Sequence, residues 1–378
     1  MGKFRIVDSD TIKNGKCTDV YFIRTEEALD AESLNPLVTM EVSAAALPQP
    51  WGVLCGLNDL LSLFEGIPVD VVAMPEGSIF YAGEPVLRIT GRYRDFARYE
   101  TALLGFLCHA SGIASAASMM KLHAGDVPVH SFGSRRQHPT LAYMIERSAW
   151  IGGVDGVSNT CAPDGLPLIG TMPHAFVMCF EKTSDAWIAF DRYAPPEVPR
   201  VMLCDTFCDE KREALAAAKL GATAVRLDTP RSRRGDMRLI LEEVRWELDI
   251  NGYNDVKIFL TGGVDPDDII KYRDIVDSFG VGGAIANAPV IDFSMDIVQI
   301  EGKISAKRGK RSGVKEVYEF PDGTHTVLPA RHDAPKGCRA LLKPVISNGH
   351  LLIDTSETCI NDARKRLFEN IRKLPQIQ

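Results

Sequence analysis

Extended apolar runs and one long helical pattern make up the first part of this chain. Residues 37–48 have the composition of a strand, and residues 75–91 are typical of a β-hairpin that turns at Gly83. Residues 95–123 place apolar side chains about every 3.6 positions, which predicts a long helix. We therefore expect an N-terminal α+β sheet domain with a linking helix over residues 1–125.

Short apolar runs and helical patterns alternate in the next part of the chain, which is typical of β/α units. The apolar runs span residues 127–132, 156–159, 175–180, 200–203, 224–227, 256–260 and 279–282, and the helical patterns include residues 140–150, 211–220 and 236–251. Repeated strand–helix units of this length form a parallel sheet, closed or nearly closed into a barrel. We expect an irregular α/β barrel of seven strands over residues 126–296.

The end of the chain predicts a small C-terminal domain over residues 297–378. Residues 298–305 and 315–320 have strand patterns, and residues 360–373 form an amphipathic helical pattern that we expect to pack on the N-terminal domain. The basic cluster at residues 307–311 is either a solvated loop or a lid that binds phosphate.

Polar residues follow the predicted strands at the end where a parallel barrel places its active site. They are Asp205, Arg226, Asp228, the turn Thr261, Gly262 and Gly263, and the turn Gly280, Gly282 and Gly283. Backbone amides of glycine turns bind phosphate groups, and carboxylates bind Mg²⁺ and ribose hydroxyls. The sequence therefore predicts a sugar-phosphate site at this mouth, with Asp205 and Asp228 close to a Mg²⁺ ion.

A second set of candidate residues lies between residues 129 and 174. Arg135 and Arg136 follow a predicted strand, and two guanidinium groups there suit an anionic ligand because each can pair a carboxylate or phosphate bidentately. The other candidates in this stretch are Phe132, Asp155, Ser158 and His174. Together they indicate a pocket for a flat, negatively charged molecule beside the phosphate site.

The order and spacing of these segments resemble the nicotinate phosphoribosyltransferase family, a branch of the type II phosphoribosyltransferases, and its shorter archaeal-type members in particular. The resemblance covers about residues 1–315 and rests on the segments at residues 18–21, 129–139, 170–174 and 228–235. It implies the irregular barrel of the type II enzymes. It also implies transfer of phosphoribose from 5-phosphoribosyl 1-diphosphate to nicotinate in NAD biosynthesis, with Mg²⁺ and with coupled hydrolysis of ATP.

The resemblance also implies a role for each candidate residue. Arg135 would pair the nicotinate carboxylate, Phe132 would cover one face of the ring, and Tyr21 of a second subunit would cover the other face, so that a homodimer shares its active sites. ATP would phosphorylate His174. The catalytic set would be His174, Asp205, Asp228 and Arg135. Further substrate contacts would come from Asp155, Ser158, Arg226, Arg233 and Arg234.

Other functions stay open at this point. The acceptor could be nicotinamide, whose amide N–H could donate to Asp155, or quinolinate, whose second carboxylate would require more basic residues in the pocket. A third alternative is a non-catalytic paralogue that keeps the barrel and senses a nucleotide without turnover.

Charge and cysteine content narrow the class of protein. A net charge of −7 gives no general argument for a nucleic-acid partner or an acidic membrane surface, so anion binding requires a local basic pocket. The N-terminus lacks an apolar signal core, and the nine cysteines form no C-x-x-C pair, which is typical of reduced thiols in a cytoplasmic protein. The last 80 or so residues contain only Cys338 and Cys359, so we expect no structural zinc there.

Overall fold

The computed structural model describes residues 4–356 and 359–374 of the 378-residue chain. Its contacts divide the chain into two compact units: a first unit of Met1–Ser115 with Pro289–Gln378, and a second unit of Ala116–Ala288. The division into three domains at residues 1–125, 126–296 and 297–378 stays a prediction.

The first helices and strands in chain order are α1 (Ser9–Lys13), α2 (Val20–Ala31), β1 (Leu37–Ala44), β2 (Gly52–Val53), α3 (Leu57–Phe64), β3 (Val69–Ala73), β4 (Ile79–Phe80), β5 (Pro85–Arg92), α4 (Tyr93–Phe96) and α5 (Glu100–Ala124). Next are β6 (Val129–Ser131), α6 (Ala142–Ile151), β7 (Gly156–Val157), α7 (His174–Met178), α8 (Thr183–Tyr193), β8 (Val201–Leu203), α9 (Glu210–Lys219), β9 (Ala224–Leu227), α10 (Met237–Ile250), β10 (Lys257–Leu260), α11 (Pro266–Tyr272), β11 (Ser278–Val281) and α12 (Gly283–Ala286). The last are β12 (Phe293–Ile300), β13 (Lys303–Ile304), β14 (Lys315–Glu319), β15 (His325–Pro329), β16 (Arg339–Ala340), β17 (Lys343–Ser347), β18 (His350–Leu351) and α13 (Cys359–Ile371).

The first unit is built on a seven-stranded antiparallel sheet in the order β13-β12-β1-β5-β3-β17-β18. Strands from both ends of the chain therefore belong to one sheet, since β12 pairs with β1 and β17 pairs with β3. The amphipathic α3 buries five of its eight residues in the core of this unit. The C-terminal helix α13 reaches the turn before β4, where Arg366 donates a hydrogen bond to the carbonyl oxygen of Glu76.

The predicted hairpin at residues 75–91 does not form as a pair of adjacent strands. Gly83 does occupy a left-handed turn conformation (φ +80°), but β4 pairs with β2. The physical reason is that β5 is already bonded on one side to β1 and on the other side to β3, which leaves no edge for β4. A local turn signal carries no information about these long-range partners.

The second unit contains a six-stranded sheet in the order β7-β6-β11-β10-β9-β8, and every neighbouring pair is parallel. The α/β class predicted from the alternating pattern is confirmed. The sheet has two edges, β7 and β8, and is therefore a half-barrel, whereas the sequence predicted a closed or nearly closed barrel of seven strands.

The missing strand is the apolar run at residues 175–180, which forms α7 instead. A short apolar run fits a buried strand and a buried helical turn equally well by pattern alone. Pro173 stands at the N-cap of α7, and Phe176 and Phe180 lie four positions apart with ring centroids 5.3 Å from each other. The helical period therefore brings the two rings together.

The long helical pattern predicted at residues 95–123 is confirmed by α4 and α5. By length and composition alone, the run Tyr93–Ala124 could cross a membrane, but 67% of its most apolar window is buried inside the protein. This burial is typical of a core helix. The cytoplasmic location stays a prediction.

Candidate functional site

The order of the parallel strands places six strand ends side by side in the second unit. A cavity of about 610 Å³ lies along these ends. It is lined by Phe132, Arg135, Arg136, Ser158, Thr160, Leu168, Ile169, Gly170, Thr171, Met172, Pro173, Arg226, Asp228, Thr261, Gly262, Gly263, Gly280, Gly282 and Gly283. The polar strand ends thus converge on one mouth, as parallel sheets generally arrange them.

The structure brings Arg136 and eleven further predicted site residues to this cavity. The eleven are Phe132, Arg135, Ser158, Arg226, Asp228, Thr261, Gly262, Gly263, Gly280, Gly282 and Gly283. The others line no part of it: Asp155, His174, Asp205, Arg233 and Arg234 lie elsewhere in the second unit, and Tyr21 belongs to the first unit. Tyr21 is 57% exposed, and its hydroxyl donates to Asp19, so its role in a homodimer stays a prediction.

One end of the cavity carries two exposed arginines on the turn that follows β6. Neither the Arg135 nor the Arg136 side chain has a hydrogen-bond or ion-pair partner among the described residues. The turn begins at Gly133, where a Cβ atom would collide with the carbonyl oxygen of Gly282. The absent side chain lets the turn lie against the neighbouring strand end, and both guanidinium groups remain available for an anion. We call Phe132, Arg135, Arg136 and Ser158 the acceptor end of the cavity.

The ring of Phe132 is held by a glycine on the adjacent strand. A Cβ atom on Gly280 would lie 2.9 Å from the Phe132 ring and 2.6 Å from the Thr261 methyl group. On its other side, Phe132 meets Phe259 edge-on, with ring centroids 5.7 Å apart. The ring is therefore fixed in the wall, where it can pack against a flat ligand.

The middle of the cavity is formed by the glycine turns that follow β10 and β11. Gly262 and Gly263 have left-handed backbones, with φ of +88° and +79°. A Cβ atom on Gly262 would lie 2.7 Å from the carbonyl oxygen of Asp228, so this position requires glycine for space as well as for conformation. Backbone amides exposed at such turns suit the oxygens of a phosphate group.

One acidic strand end lines the other end of the cavity, and a second acidic strand end lies next to it. Asp228 lines it and pairs with Arg226 at 3.1 Å, whereas Asp205 is 3% exposed and lies behind it. Asp205 Oδ2 accepts from the backbone N–H of Asp228 at 2.8 Å and from the Thr229 hydroxyl at 3.0 Å. Its Oδ1 has no hydrogen-bond partner among the described residues, and burial raises the pKa of this carboxyl group.

His174 stands between these two acids. Its Nε2 atom lies 3.7 Å from Asp205 Oδ1 and 3.7 Å from Asp228 Oδ2. Its Nδ1 atom lies 3.1 Å from the Thr206 hydroxyl, and the backbone N–H of Thr206 donates to the buried Glu213 at 3.0 Å. Thr206 thus orients the ring, and Glu213 fixes the loop that carries Thr206. The ring lies next to the carboxyl groups of Asp205 and Asp228.

Asp155 does not reach the cavity, although the sequence placed it among the substrate contacts. Its Oδ2 atom accepts from Lys121 Nζ at 2.9 Å and from the backbone N–H of Val129 at 2.9 Å. Asp155 therefore ties the start of β6 to the end of α5 within the second unit. The sequence alone cannot distinguish an acid that contacts a ligand from an acid that binds the backbone of a neighbouring strand.

The loop after β9 provides fewer cations to the cavity than its sequence suggests. Arg231 is bound by Asp265 and Asp268, and Arg234 donates to the carbonyl oxygen of Thr229 at 2.9 Å. Arg233 is exposed. The pyrophosphate contacts expected of Arg233 and Arg234 stay a prediction.

Sequence reasoning missed one wall of the cavity. Residues 168–173 line it, and Leu168 forms a bridge parallel to Val157 at the edge strand β7. Residues 170–174 carried part of the family resemblance, but the segment has no regular hydrophobic period, so no contact role was predicted for these residues apart from His174. Among the described residues, no group of three or more His, Cys, Asp or Glu side chains could hold a metal ion by itself.

Comparisons with known proteins match both parts of the chain. Two family models match: the quinolinate phosphoribosyl transferase N-terminal domain over residues 19–111, and the quinolinate phosphoribosyl transferase C-terminal domain over residues 113–296. The crystal structure of nicotinate-nucleotide pyrophosphorylase from Pyrococcus furiosus is 49% identical to this chain, with a TM-score of 0.96, and the match covers 99% of each chain.

Two more distant relatives are named as phosphoribosyltransferases of nicotinate, also called nicotinic acid. A nicotinate phosphoribosyltransferase of Mycobacterium tuberculosis is 27% identical over 95% of this chain and 87% of its own length. The crystal structure of human nicotinic acid phosphoribosyltransferase has a TM-score of 0.77 at 18% identity and covers 95% of this chain and 94% of its own. A likeness at that identity shows the fold alone.

The family-model matches and the 49% identical structure overturn the resemblance to the nicotinate phosphoribosyltransferases. The expectations that rested on it were therefore wrong: nicotinate as the acceptor, ATP as a co-substrate, and phosphorylation of His174. The physical reason is that a pair of arginines and a series of glycine turns suit any enzyme that joins phosphoribose to a pyridine carboxylate. These motifs predict the reaction class without identifying the acceptor.

Proposed function

Because this chain belongs to the quinolinate phosphoribosyl transferase family, we propose that it transfers phosphoribose from 5-phosphoribosyl 1-diphosphate to the ring nitrogen of quinolinate. The products are pyrophosphate, carbon dioxide and nicotinate mononucleotide. The 49% identical structure is named a nicotinate-nucleotide pyrophosphorylase, which agrees with nicotinate mononucleotide and pyrophosphate as products. The observation that carries the proposal is the combination of the family match with two unpaired arginines at the acceptor end.

The acceptor end suits a molecule with two carboxylates. Quinolinate has carboxylates on adjacent ring carbons, and Arg135 and Arg136 both line the cavity without a partner among the described residues. A guanidinium group binds a carboxylate through two parallel N–H donors, so two free arginines can neutralise both charges. The ring of Phe132 provides an apolar face for the pyridine.

The middle of the cavity suits the phosphoribosyl donor. The turns at Gly262 and Gly263 and at Gly282 and Gly283 supply backbone amides for phosphate oxygens. Asp228 stands at the next strand end, where its carboxylate can bind ribose hydroxyls or face a developing positive charge. Sugar transfer of this kind passes through an oxocarbenium-like transition state, which a nearby carboxylate stabilises.

Asp228 and Asp205 are also the residues that would hold a Mg²⁺ ion. Mg²⁺ is usually bound by one or two carboxylates together with substrate phosphates and water, and Asp228 and Asp205 provide two. The free Oδ1 atom of Asp205 is a buried oxygen without a partner among the described residues, which fits a cation nearby. When bound, the ion would neutralise the charge that develops on the departing pyrophosphate.

The residues of the chain then have mainly positioning and electrostatic roles. The ring nitrogen forms its bond to C1 of the ribose as the bond from C1 to the pyrophosphate oxygen breaks. The nitrogen becomes cationic, so the adjacent carboxylate can leave as carbon dioxide while its bonding electron pair stays on the ring carbon. That carbon then takes up a proton. Arg135 and Arg136 can hold the ring in place for these steps, and Phe132 and residues 168–173 form the wall beside it.

The decisive experiment uses quinolinate labelled in the carboxylate next to the ring nitrogen. Release of labelled carbon dioxide and of pyrophosphate in equal amounts, dependent on 5-phosphoribosyl 1-diphosphate and Mg²⁺, is the expected result. ATP should not increase the rate. Nicotinate and nicotinamide serve as comparison acceptors, and turnover of either one without turnover of quinolinate would overturn the proposal. Binding of phosphoribosyl diphosphate without turnover of any acceptor would favour a sensing paralogue.

A further inference from the structure

A buried acid lies in the middle of α6, behind the wall of the cavity. The Glu146 side chain is 0% exposed. Carboxylates are seldom buried unless polar groups compensate for the lost water. Neither carboxylate oxygen of Glu146 makes a hydrogen bond of normal geometry to a described residue. Burial raises the pKa of this group.

The polar groups that face Glu146 belong to two different segments of the cavity wall. They are the hydroxyls of Ser131 and Ser134 and the backbone N–H of Asn159. Ser131 ends β6, and Ser134 begins the turn that carries the two arginines, whereas Asn159 follows Ser158 after β7.

These two segments are also bonded to each other. The Asn159 side-chain amide donates to the Ser134 hydroxyl at 2.9 Å. The hydroxyl of Ser131 has no partner of its own among the described residues. Glu146 and Ser131 are thus two buried polar groups that face each other without a complete hydrogen bond.

We propose that Glu146 is a positioning residue for the acceptor end, because its buried carboxyl group holds the arginine turn against the segment that carries Ser158. The inference rests on the proposed function, since it assigns Glu146 to the pyridine half of the cavity. The polar groups that face Glu146 follow β6 and β7, whereas the glycine turns and Asp228 belong to other strand ends. Loss of the carboxyl group should therefore change the binding of the two substrates unequally.

The test compares Glu146→Ala with Glu146→Gln in steady-state kinetics with quinolinate and 5-phosphoribosyl 1-diphosphate. Glu146→Ala should raise the KM for quinolinate roughly tenfold or more, because misplacement of a binding group weakens its contact with the ligand. The KM for phosphoribosyl diphosphate should change by less than about threefold. Glu146→Gln keeps the size of the side chain and one acceptor oxygen, so it should restore most of the affinity.

A matched control separates positioning from simple loss of stability. Ile145→Val removes buried volume from the neighbouring position of α6 without touching the serines or Asn159. It should lower the melting temperature while leaving both KM values within about twofold of the wild type. Ser131→Ala, which removes one hydroxyl that faces the acid, should shift the KM for quinolinate in the same direction as Glu146→Ala.

The outcomes distinguish this inference from the proposed function. If the wild-type protein turns over quinolinate and Glu146→Ala raises both KM values equally, or only lowers the melting temperature, the positioning role is wrong and the function stands. Failure of Glu146→Gln to restore affinity would also contradict it. If the wild-type protein neither binds nor turns over quinolinate in calorimetry and kinetics, the proposed function fails, and this inference fails with it.

Discussion

The carboxylate of Asp205 accepts a hydrogen bond of 2.8 Å from the backbone N–H of Asp228, so the side chain of one strand end fixes the position of the next. The same oxygen also binds the hydroxyl of Thr229 at 3.0 Å. Asp228, which lines the cavity, is therefore held in place by an acid that is almost completely buried.

This relationship predicts that Asp205 matters for the rate. Asp205→Ala removes both hydrogen bonds and one carboxylate near the diphosphate, and we expect kcat to fall on the order of a hundredfold. Asp205→Asn keeps one oxygen acceptor, so its loss should be smaller. The rate of pyrophosphate release at saturating substrate measures kcat for both variants. The surface acid Asp191, which pairs with Arg200, provides the control Asp191→Asn, and an unchanged kcat in Asp205→Ala would contradict the role.

The two free arginines at the acceptor end should control affinity for quinolinate. Arg135→Ala and Arg136→Ala should each raise the KM for quinolinate by roughly ten- to a hundredfold, because each removes a charge-assisted bidentate contact. Arg238→Ala is the control, since Arg238 pairs with Glu242 and Asp274 on the surface. If one of the two substitutions leaves the KM unchanged, only one arginine binds a carboxylate, and the argument that the site recognises a dicarboxylate is contradicted.

The contact between Gly280 and Phe132 predicts a steric effect on the acceptor. A methyl group on Gly280 would press on the Phe132 ring and on the Thr261 methyl group, so Gly280→Ala should displace the ring and weaken quinolinate binding about tenfold. Gly235→Ala meets no heavy atom within 4 Å and is the matched control. Calorimetric titration of quinolinate checks this, and equal affinities in the two variants would show that the ring does not contact the ligand.

The lowered pKa of His130 predicts how the free energy of unfolding depends on pH. Burial lowers the pKa of His130 from 6.5 to about 4, because the charged ring would lose water. The folded state therefore keeps the ring neutral, and its contribution to stability is complete above pH 6.5. As the pH falls from 6.5 to 4, the unfolded state gains a proton first and the free energy of unfolding decreases, by about 3 kcal/mol at most.

Urea unfolding at several pH values can isolate this effect. His130→Phe keeps an aromatic ring beside Phe259, whose centroid lies 5.6 Å away, and it cannot take up a proton. The difference in unfolding free energy between wild type and variant should shift in favour of the variant as the pH falls below 6.5. A difference that is the same at pH 7 and pH 4.5 would show that His130 accepts its proton freely in the folded protein.

Much of the second unit was predictable because its signals are local. Buried β9 and β10 are short apolar runs closed by an acid or a glycine pair, and the turn at Gly262 and Gly263 has the left-handed backbone that its glycines suggest. The polar residues at these ends could be expected in one cavity because parallel strands all point their carboxyl ends the same way.

The errors arose where the outcome depends on distant partners. Residues 175–180 form a helix because Pro173 and the packing of Phe176 on Phe180 decide between two periods that the pattern allows. Asp155 pairs with Lys121 and does not line the cavity, and these two residues lie 34 positions apart in the sequence. Glu146 was missed because an acid within a helix normally faces water, and only the structure shows that this one is buried.

The order of the strands in the half-barrel places the residues for the acceptor, for the phosphate and for the ribose at different strand ends. The arginine turn and Ser158 belong to β6 and β7 at one edge, the phosphate turns belong to β10 and β11 in the middle, and the two acids belong to β8 and β9 at the other edge. A change of pyridine substrate during evolution could therefore proceed mainly through replacements in the loops after β6 and β7, while the residues that bind the sugar phosphate are inherited intact.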